Sequence, residues 1–316
     1  MYEKIVEAAN RLEGIAHKTP VHTSTLLNEL TGNQMFLKCE NFQRMGAFKF
    51  RGAYNAISSL PKASQNKGVI AYSSGNHAMA TALTCKILGI PATVVMPDDA
   101  PQVKAAAVKD YGATIIRYNR KTESREEKAQ DLIDEFGYTL IPPFNAEPIV
   151  AGQGTVAKEL IEEVGELDYL LVPCGGGGLI SGCAIAAKQL SPQCKVIGVE
   201  PVVSNDATKS FKAGELQTIE APNSIADGLN TPSLGKITFS FIQKHVDDFI
   251  TVSEEEIKAA MYFLWTRLKL VVEPSGAVAL AAYQKLSVKN KRAGVVLSGG
   301  NVDVRKAGDL FKDITD

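Results

Sequence analysis

Short, continuous apolar runs recur along this chain, and most are followed by a stretch with helical spacing. GVIAYSS (68–74) leads into a helical pattern from His77 to Leu88, PATVVMP (91–97) into Pro101–Tyr111, and TIIRYN (114–119) into Glu123–Phe136, before TLIPPF (139–144). After Glu147 the pattern restarts with a helix near Gly154–Val164, a strand YLLVPC (169–174) and a helix Leu179–Leu190. KVIGVEP (195–201), DDFITV (247–252) and GVVLSGG (294–300) complete the strand-like runs, and Ser253 with Glu256 makes a capping box for a helix to Leu268. The runs are uniformly apolar rather than alternating, as in parallel strands covered on both faces. The expectation is an α/β protein with doubly wound parallel sheets. At 316 residues one core is stretched, so two lobes are expected. No repeat, low-complexity tract or linker divides them. The connections LPKASQNKG (60–68) and PPFNAEP (142–148) bracket about three βα units. A small α/β lobe of residues 63–148, inserted into a large lobe of 1–62 and 149–316, follows, with a ligand cleft between them.

Composition narrows the function. Lys and Arg total 34 against 35 Asp and Glu, so nothing steers the chain to nucleic acid or to an anionic membrane, and a small partner fits better. The cysteines (39, 85, 174, 183 and 194) are odd in number and lack a C-x-x-C, which argues for a reducing compartment and against structural zinc. The histidines His17, His22, His77 and His245 are scattered. MYEKIVEAANRLEG has no apolar signal core, and no run reaches membrane-spanning length, so a cytoplasmic protein is expected.

Four stretches carry chemistry. In PCGGGGLISG (173–182), glycines follow a strand and open a helix. Glycine allows close approach of the backbone, and the unpaired N–H groups of a helix start favour an anion, most often phosphate. A tight turn is the plainer reading. Walker A fails, because Cys183 and Ala184 stand where Lys and Ser/Thr are needed, and G-x-G-x-x-G fails at Ile180 or Ser181. Gly152-x-Gly154-x-x-Ala157 matches the looser dinucleotide form, with only Ile149 and Val150 ahead of it as strand. The loop thus points to an isolated phosphate group.

The second stretch is GAFKFRGA (46–53), with Lys49 between Phe48 and Phe50. Pyridoxal phosphate has one phosphate and condenses with a lysine amine, which later serves as base. A partly apolar pocket would lower the proton affinity of that amine. The plainer reading is a lysine snorkelling over apolar surface. In YSSGNHAMA (72–80), Ser73, Ser74, Gly75, Asn76 and His77 join a strand to a helix, as an N-cap or as a carboxylate receptor. VLSGGN (296–301) ends another strand at Ser298.

GAFKFRGA, SSGNHA, GGGGLISG, IADG (225–228) and LSGGN, in this order, resemble the serine racemase and serine/threonine dehydratase family, from about KTPV (18–21) to GGNVD (299–303). The resemblance implies a two-lobed, fold type II pyridoxal-phosphate enzyme, similar to the tryptophan synthase β subunit, with the cofactor in the cleft between lobes. Lys49 would carry the cofactor, Phe48 would lie near its ring, and Asn76 would bond its phenolic oxygen. Gly175, Gly176, Gly177 and Gly178 would hold its phosphate, and Ser298 would face its ring nitrogen. Ser73, Ser74, Gly75, Asn76 and His77 would receive the substrate carboxylate, with Arg125 and Asp227 on the substrate side. Lys49 would take the Cα proton. Loss of the β-hydroxyl would then give a 2-oxo acid and ammonia, and return of a proton by Ser74 would racemise the substrate.

Simple threonine dehydratases resemble SAGNH at the loop where this chain has SSGNH. The second serine resembles serine racemases and threo-3-hydroxyaspartate ammonia-lyases. Serine elimination with racemase capability, extending to threonine, is the leading expectation, and hydroxyaspartate elimination is the alternative. A cysteine-synthase-like enzyme fits less well, since that branch has an SGNT-type loop, and a non-enzymatic sensor would lack Lys49 or Ser74. Glu200, the Ser204 carbonyl and Asp206 read on spacing alone as ordinary loop acids. The resemblance makes them a site for Mg²⁺, with Ca²⁺ or Mn²⁺ as alternatives. It also implies a homodimer and leaves ATP open as an effector near Thr23–Thr25.

Overall fold

The computed structural model describes residues 1–100, 102–312 and 314, so Pro101, the first residue of one expected helix, lies outside the described residues. The strands are β1 (Val21–His22), β2 (Gln34–Cys39), β3 (Val69–Tyr72), β4 (Ala92–Pro97), β5 (Thr114–Tyr118), β6 (Thr139–Leu140), β7 (Tyr169–Pro173), β8 (Lys195–Pro201), β9 (Asp248–Val252) and β10 (Arg292–Leu297). Among the described residues they form one sheet in the order β1-β2-β10-β7-β8-β9 and a second in the order β5-β4-β3-β6. Only β1 runs antiparallel to its neighbour, and every other pair is parallel. The second sheet is drawn wholly from segment 69–140.

The continuous apolar runs have the expected cause. After the first residue, β4, β7, β8 and β10 are buried throughout, because helices cover both faces of each sheet. Where the composition departs from that rule, the expectation also departs. β2 (QMFLKC) was not anticipated, since Gln34 and Lys38 interrupt its apolar residues. β6 is shorter than TLIPPF, because Pro142 and Pro143 lack the N–H that a ladder needs. The helix expected from Gly154 begins at Glu147, with Pro148 in its first turn. Gly152 and Gly154 therefore lie inside a helix, which removes the dinucleotide reading. A Cβ on Gly152 would stand 2.6 Å from the Arg51 carbonyl oxygen, and one on Gly154 would stand 2.9 Å from the Gly182 carbonyl oxygen. These glycines let the helices Lys49–Ser58, Glu147–Val164 and Gly178–Leu190 pack backbone against backbone.

A buried ion network crosses this packing. Arg51 is fully buried. Its Nε donates to Glu40 Oε2 at 2.8 Å, and its Nη1 and Nη2 donate to Glu159 Oε1 and Oε2 at 2.6 and 2.8 Å. Lys38, also fully buried, donates to Glu159 Oε2 at 2.7 Å and to the Thr19 carbonyl at 2.8 Å. Burial alone would lower the proton affinity of Arg51, but Glu40 and Glu159 outweigh it and keep the guanidinium charged. Two cations thus face two carboxylates with most donors occupied, the condition under which a buried pair is tolerable. Replacing Arg51 with leucine is expected to cost about 3–5 kcal/mol, because Glu40 and Glu159 lose their partner inside the protein. Urea denaturation would read that loss, with Lys158→Ala, which breaks a surface pair with Glu162, as a control costing about 0.5 kcal/mol.

Candidate active site

The chemistry-bearing segments follow the carboxyl ends of parallel strands, where open α/β sheets place their ligands. Lys49 begins the Lys49–Ser58 helix. The segment before it is pinned to the end of β10: Ala47 bridges Gly299, the Phe48 N–H donates to the Ser298 carbonyl at 3.1 Å, and the Gly300 N–H donates to the Gly46 carbonyl at 2.9 Å. Gly46 adopts φ +77°, which a side chain would resist, and Asn301 occupies the space beside it. The Lys49 ammonium donates to the Pro143 carbonyl at 2.6 Å and lies 5.2 Å from the centre of the Phe48 ring. Burial pushes it down to about 8. The amine therefore gives up its proton more readily than an ordinary lysine, as a nucleophile or base requires.

The loop after β3 turns into the helix Asn76–Leu88. The Gly75 N–H donates to Ser73 Oγ at 3.2 Å, while the N–H groups of Asn76 and His77 have no protein acceptor among the described residues. Such a helix start suits a carboxylate. The His77 ring nitrogen Nε2 lies 2.8 Å from the Ile141 carbonyl, an acceptor, so Nε2 must carry the hydrogen. Burial, then Lys49, pushes the imidazole down to about 3. His77 is therefore neutral, and what it offers a carboxylate is its backbone N–H. Asn76 Nδ2 donates to Glu273 Oε1 at 2.6 Å, and Asn301 Nδ2 donates to Asn76 Oδ1 at 2.9 Å. Arg120 Nη2 approaches Ser74 Oγ at 3.5 Å.

After β7, the N–H groups of Gly175, Gly176, Gly177 and Gly178 have no acceptor among the described residues. Gly177 has φ +89°, Gly176 lies against the Phe144 ring, and Thr238 Oγ1 holds the Gly176 carbonyl at 2.8 Å. Unpaired donors at the start of the Gly178–Leu190 helix fit a phosphate. Ser298, nearly buried, donates through Oγ to the Ser275 carbonyl at 3.2 Å and presents no charge.

Two residues expected on the substrate side sit differently. Arg125 binds Glu126 through Nε at 2.7 Å and lies 5.2 Å from the Tyr72 ring, without a hydrogen bond to the SSGNH loop. Asp227 receives Lys104 Nζ at 2.6 Å. Lys104, from the helix Gln102–Asp110 on the smaller sheet, also lies 3.9 Å from Glu273 Oε2 and so ties the two halves of the site together. Burial raises Glu273, Lys104 draws it back, and Asp227 adds to the rise. Lys104, Glu273 and the Pro143 carbonyl were missed in the sequence. Asn301 at least lay in the quoted LSGGN.

Beyond β8, Glu200 is held by the N–H groups of Ala207 and Thr208 at 3.1 and 2.7 Å. Burial and then Asp206 push Glu200 up to about 8, and burial pushes Asp206 up to about 7. Both carboxylate oxygens of Asp206 are buried without a partner, and the Ser204 carbonyl accepts no hydrogen bond among the described residues. Two carboxylates and a carbonyl with unmet bonding capacity fit a hard cation completed by water. No group of three or more His, Cys, Asp or Glu side chains assembles among the described residues, so a cation here would lean on that carbonyl and on water.

The family profile described as pyridoxal-phosphate dependent enzyme matches residues 12–299. An L-threo-3-hydroxyaspartate ammonia-lyase of Saccharomyces cerevisiae is 52% identical over 312 residues, covering 98% of this chain and 96% of that protein. A serine racemase of Schizosaccharomyces pombe is 50% identical over 307 residues, covering 96% and 95%. The structure of maize serine racemase superposes with TM-score 0.94 at 42% identity, over 98% of this chain and 95% of that one.

Acylation of Lys49 by a small amine-reactive reagent, followed by peptide mapping, should show a rate that rises through pH 8 rather than through the usual range of lysine. The sign follows from burial, which favours the uncharged amine, so reactivity increases as the proton leaves. A midpoint near that of the exposed lysines would contradict the desolvated setting.

Proposed function

The chain belongs to the pyridoxal-phosphate-dependent enzymes, with their fold type II architecture, and on that premise we propose that it eliminates the β-hydroxyl of L-serine, and of L-threonine, to give a 2-oxo acid and ammonia, with a capacity to racemise serine. The observation that carries this reading is a desolvated Lys49 amine with no counter-ion, set among unpaired N–H donors for one phosphate and one carboxylate. When bound, pyridoxal phosphate supplies an aldehyde for the substrate amine and a ring that withdraws electrons from Cα. Lys49 would hold it, the N–H groups of Gly175, Gly176, Gly177 and Gly178 would bind its phosphate, and Phe48 and Asn76 would flank its ring. Ser298 would meet the ring nitrogen with a neutral hydroxyl.

The N–H groups of Asn76 and His77, with Ser73, Ser74 and Gly75, would orient the α-carboxylate. Lys49 Nζ would take the Cα proton from one face. The β-hydroxyl would leave as water on taking up a proton, and the released enamine would tautomerise and be hydrolysed by water to the 2-oxo acid and ammonia, whereas a proton delivered to Cα by Ser74 Oγ on the other face would complete racemisation. Asp227 and Arg125 would border the substrate, with Asp227 acting through Lys104.

The second reading, elimination of threo-3-hydroxyaspartate, is favoured by the enzyme of that name at 52% identity. Glu200, Ser204 and Asp206 would hold Mg²⁺, or Ca²⁺ or Mn²⁺, a proposal supported by the orphaned Asp206 oxygens. A cytoplasmic setting is supported by five cysteines that are all free and buried. A small-lobe and large-lobe division, a homodimer and an ATP effector near Thr23–Thr25 complete the reading on the strength of the sequence resemblance.

Release of 2-oxo acid from L-serine, L-threonine and L-threo-3-hydroxyaspartate, with cofactor and Mg²⁺ present, tests the reading directly. Lys49→Ala should lower turnover roughly 10³-fold or more, since base and cofactor attachment go together. Ser74→Ala should end D-serine formation while elimination survives in part, and persistent racemisation would remove Ser74 from its role. Chelation should lower the thermal midpoint of the wild type, and Asp206→Asn should abolish that response.

A further inference from the structure

The candidate substrates share Cα, its amine and its carboxylate, and they differ at Cβ. Serine carries only hydrogen besides its hydroxyl there, threonine a methyl group and hydroxyaspartate a second carboxylate. A cation beside Cβ would tell the last from the others, and the described residues offer few near the SSGNH loop. Lys49 is desolvated, hydrogen-bonded to the Pro143 carbonyl, and in the proposed reading committed to the cofactor and Cα. Lys104 is matched by Asp227 at 2.6 Å and Glu273 at 3.9 Å. Arg125 is bound by Glu126 and lies against Tyr72.

Arg120, like Arg125, is paired through Nε with an exposed carboxylate, but unlike Arg125 it reaches the SSGNH loop. It stands two residues beyond the end of β5, and its Nη2 points at Ser74 Oγ from 3.5 Å, a long contact that leaves hydrogen-bonding capacity unused. Its ion-pair partner is Asp99, which meets Nε at 2.8 Å and has 68% of its side chain exposed. Asp99 therefore neutralises one edge of the guanidinium weakly and leaves the Nη edge free, the edge that grips a carboxylate with two parallel bonds. Ser74 is the residue assigned above to a face of Cα, so a group touching its hydroxyl borders the substrate rather than the outer surface alone.

We propose that Arg120 is the receptor for a second, β-carboxylate and sets how well this site takes dicarboxylic 3-hydroxy amino acids relative to serine. The inference rests on the pyridoxal-phosphate reading of the site. It makes Arg120 a specificity residue, outside the bond-making steps, and gives Asp99 the part of a stand-in anion that a substrate displaces.

The test is the ratio of kcat/KM for L-threo-3-hydroxyaspartate to that for L-serine, measured on the holoenzyme of the wild type, Arg120→Gln and Asp99→Asn. The loss of a charged, paired contact should drop the ratio roughly 10- to 100-fold in Arg120→Gln, mainly through KM for the dicarboxylate. Asp99→Asn should raise it, because the competing anion is gone. A ratio within about threefold of wild type in Arg120→Gln would overturn the proposal, as would a wild type that turns over serine and ignores hydroxyaspartate. If Arg120 only tunes Ser74, serine racemisation falls while the ratio stays, which also overturns it. A wild type that acts on neither amino acid would overturn the underlying reading as well, so the two failures are distinguishable.

Discussion

The ion network around Arg51 is the constraint on which the site depends. Lys49 and Arg51 lie on the same helix, so whatever holds the guanidinium also holds the amine. Glu40 reaches Arg51 from the end of β2, and Glu159 reaches it from the Glu147–Val164 helix. Thr19 Oγ1 adds a bond to Glu40 at 2.6 Å, and Thr155 Oγ1 receives Arg51 Nη1 at 3.2 Å. The charges cancel only when all four members are present, so the network is either complete or costly. A cluster of this kind gains less in net stability than a hydrocarbon core of the same volume. Its use here is directional: a fork with fixed geometry sets the rotation of the helix, and with it the direction in which Lys49 leaves the backbone.

That orientation has value only because the backbones beneath it cannot shift. The close contacts of Gly152 with Arg51 and Gly52, and of Gly154 with Gly182, join the helix of Lys49 to the helix of the glycine loop through one shared neighbour. The Lys49 segment and the phosphate-type cradle are thus parts of one packed unit. The SSGNH loop belongs to the other sheet; the helix it opens packs Cys85, Leu83 and Leu88 against Ile57, Phe50 and Tyr54 of the Lys49 helix, and polar links run from Asn76 to Glu273 and from Asn301 to Asn76. The rigid half carries the groups that would grip a cofactor. The other half, joined to it by apolar packing and by those hydrogen bonds, carries groups that would meet the substrate.

Much of the fold was legible because buried parallel strands show in sequence as unbroken apolar runs. The exceptions have separate causes. β2 contains Lys38, whose charge is cancelled by Glu159 from 121 residues away, and no local pattern could report that. The Glu147–Val164 helix was cut short because its glycines look like a loop, although they serve helix contact. In the site, the strand-end motifs were readable since glycine and small polar residues there are costly unless used. Glu273 and Lys104 were not readable. Each looks like an ordinary surface charge until folding places Lys104 within reach of Glu273 and Asp227, far away in the chain. Arg125, which the resemblance put on the substrate side, has its side chain turned to Glu126 and Tyr72.

Charge in the cleft follows one rule: formal charges are removed or paired, and partial charges are left free. The Lys49 amine is pushed towards neutrality, the His77 ring is kept neutral by burial and by Lys49, and Lys104 is matched by Asp227. What stays unpaired is peptide N–H, at Asn76 and His77 and again at Gly175–Gly178. Fixed dipoles of this kind attract an anion without needing a counter-ion when the site is open, and they need little reorganisation when charge moves at Cα. A full cation in the same place would bind the α-carboxylate more tightly, but it would also compete with Lys49 for electrostatic stabilisation and hold its proton affinity lower still. Dipoles at the α-carboxylate, and a cation kept out at Arg120, let the amine retain a proton affinity near neutrality, where it can both accept and return a proton.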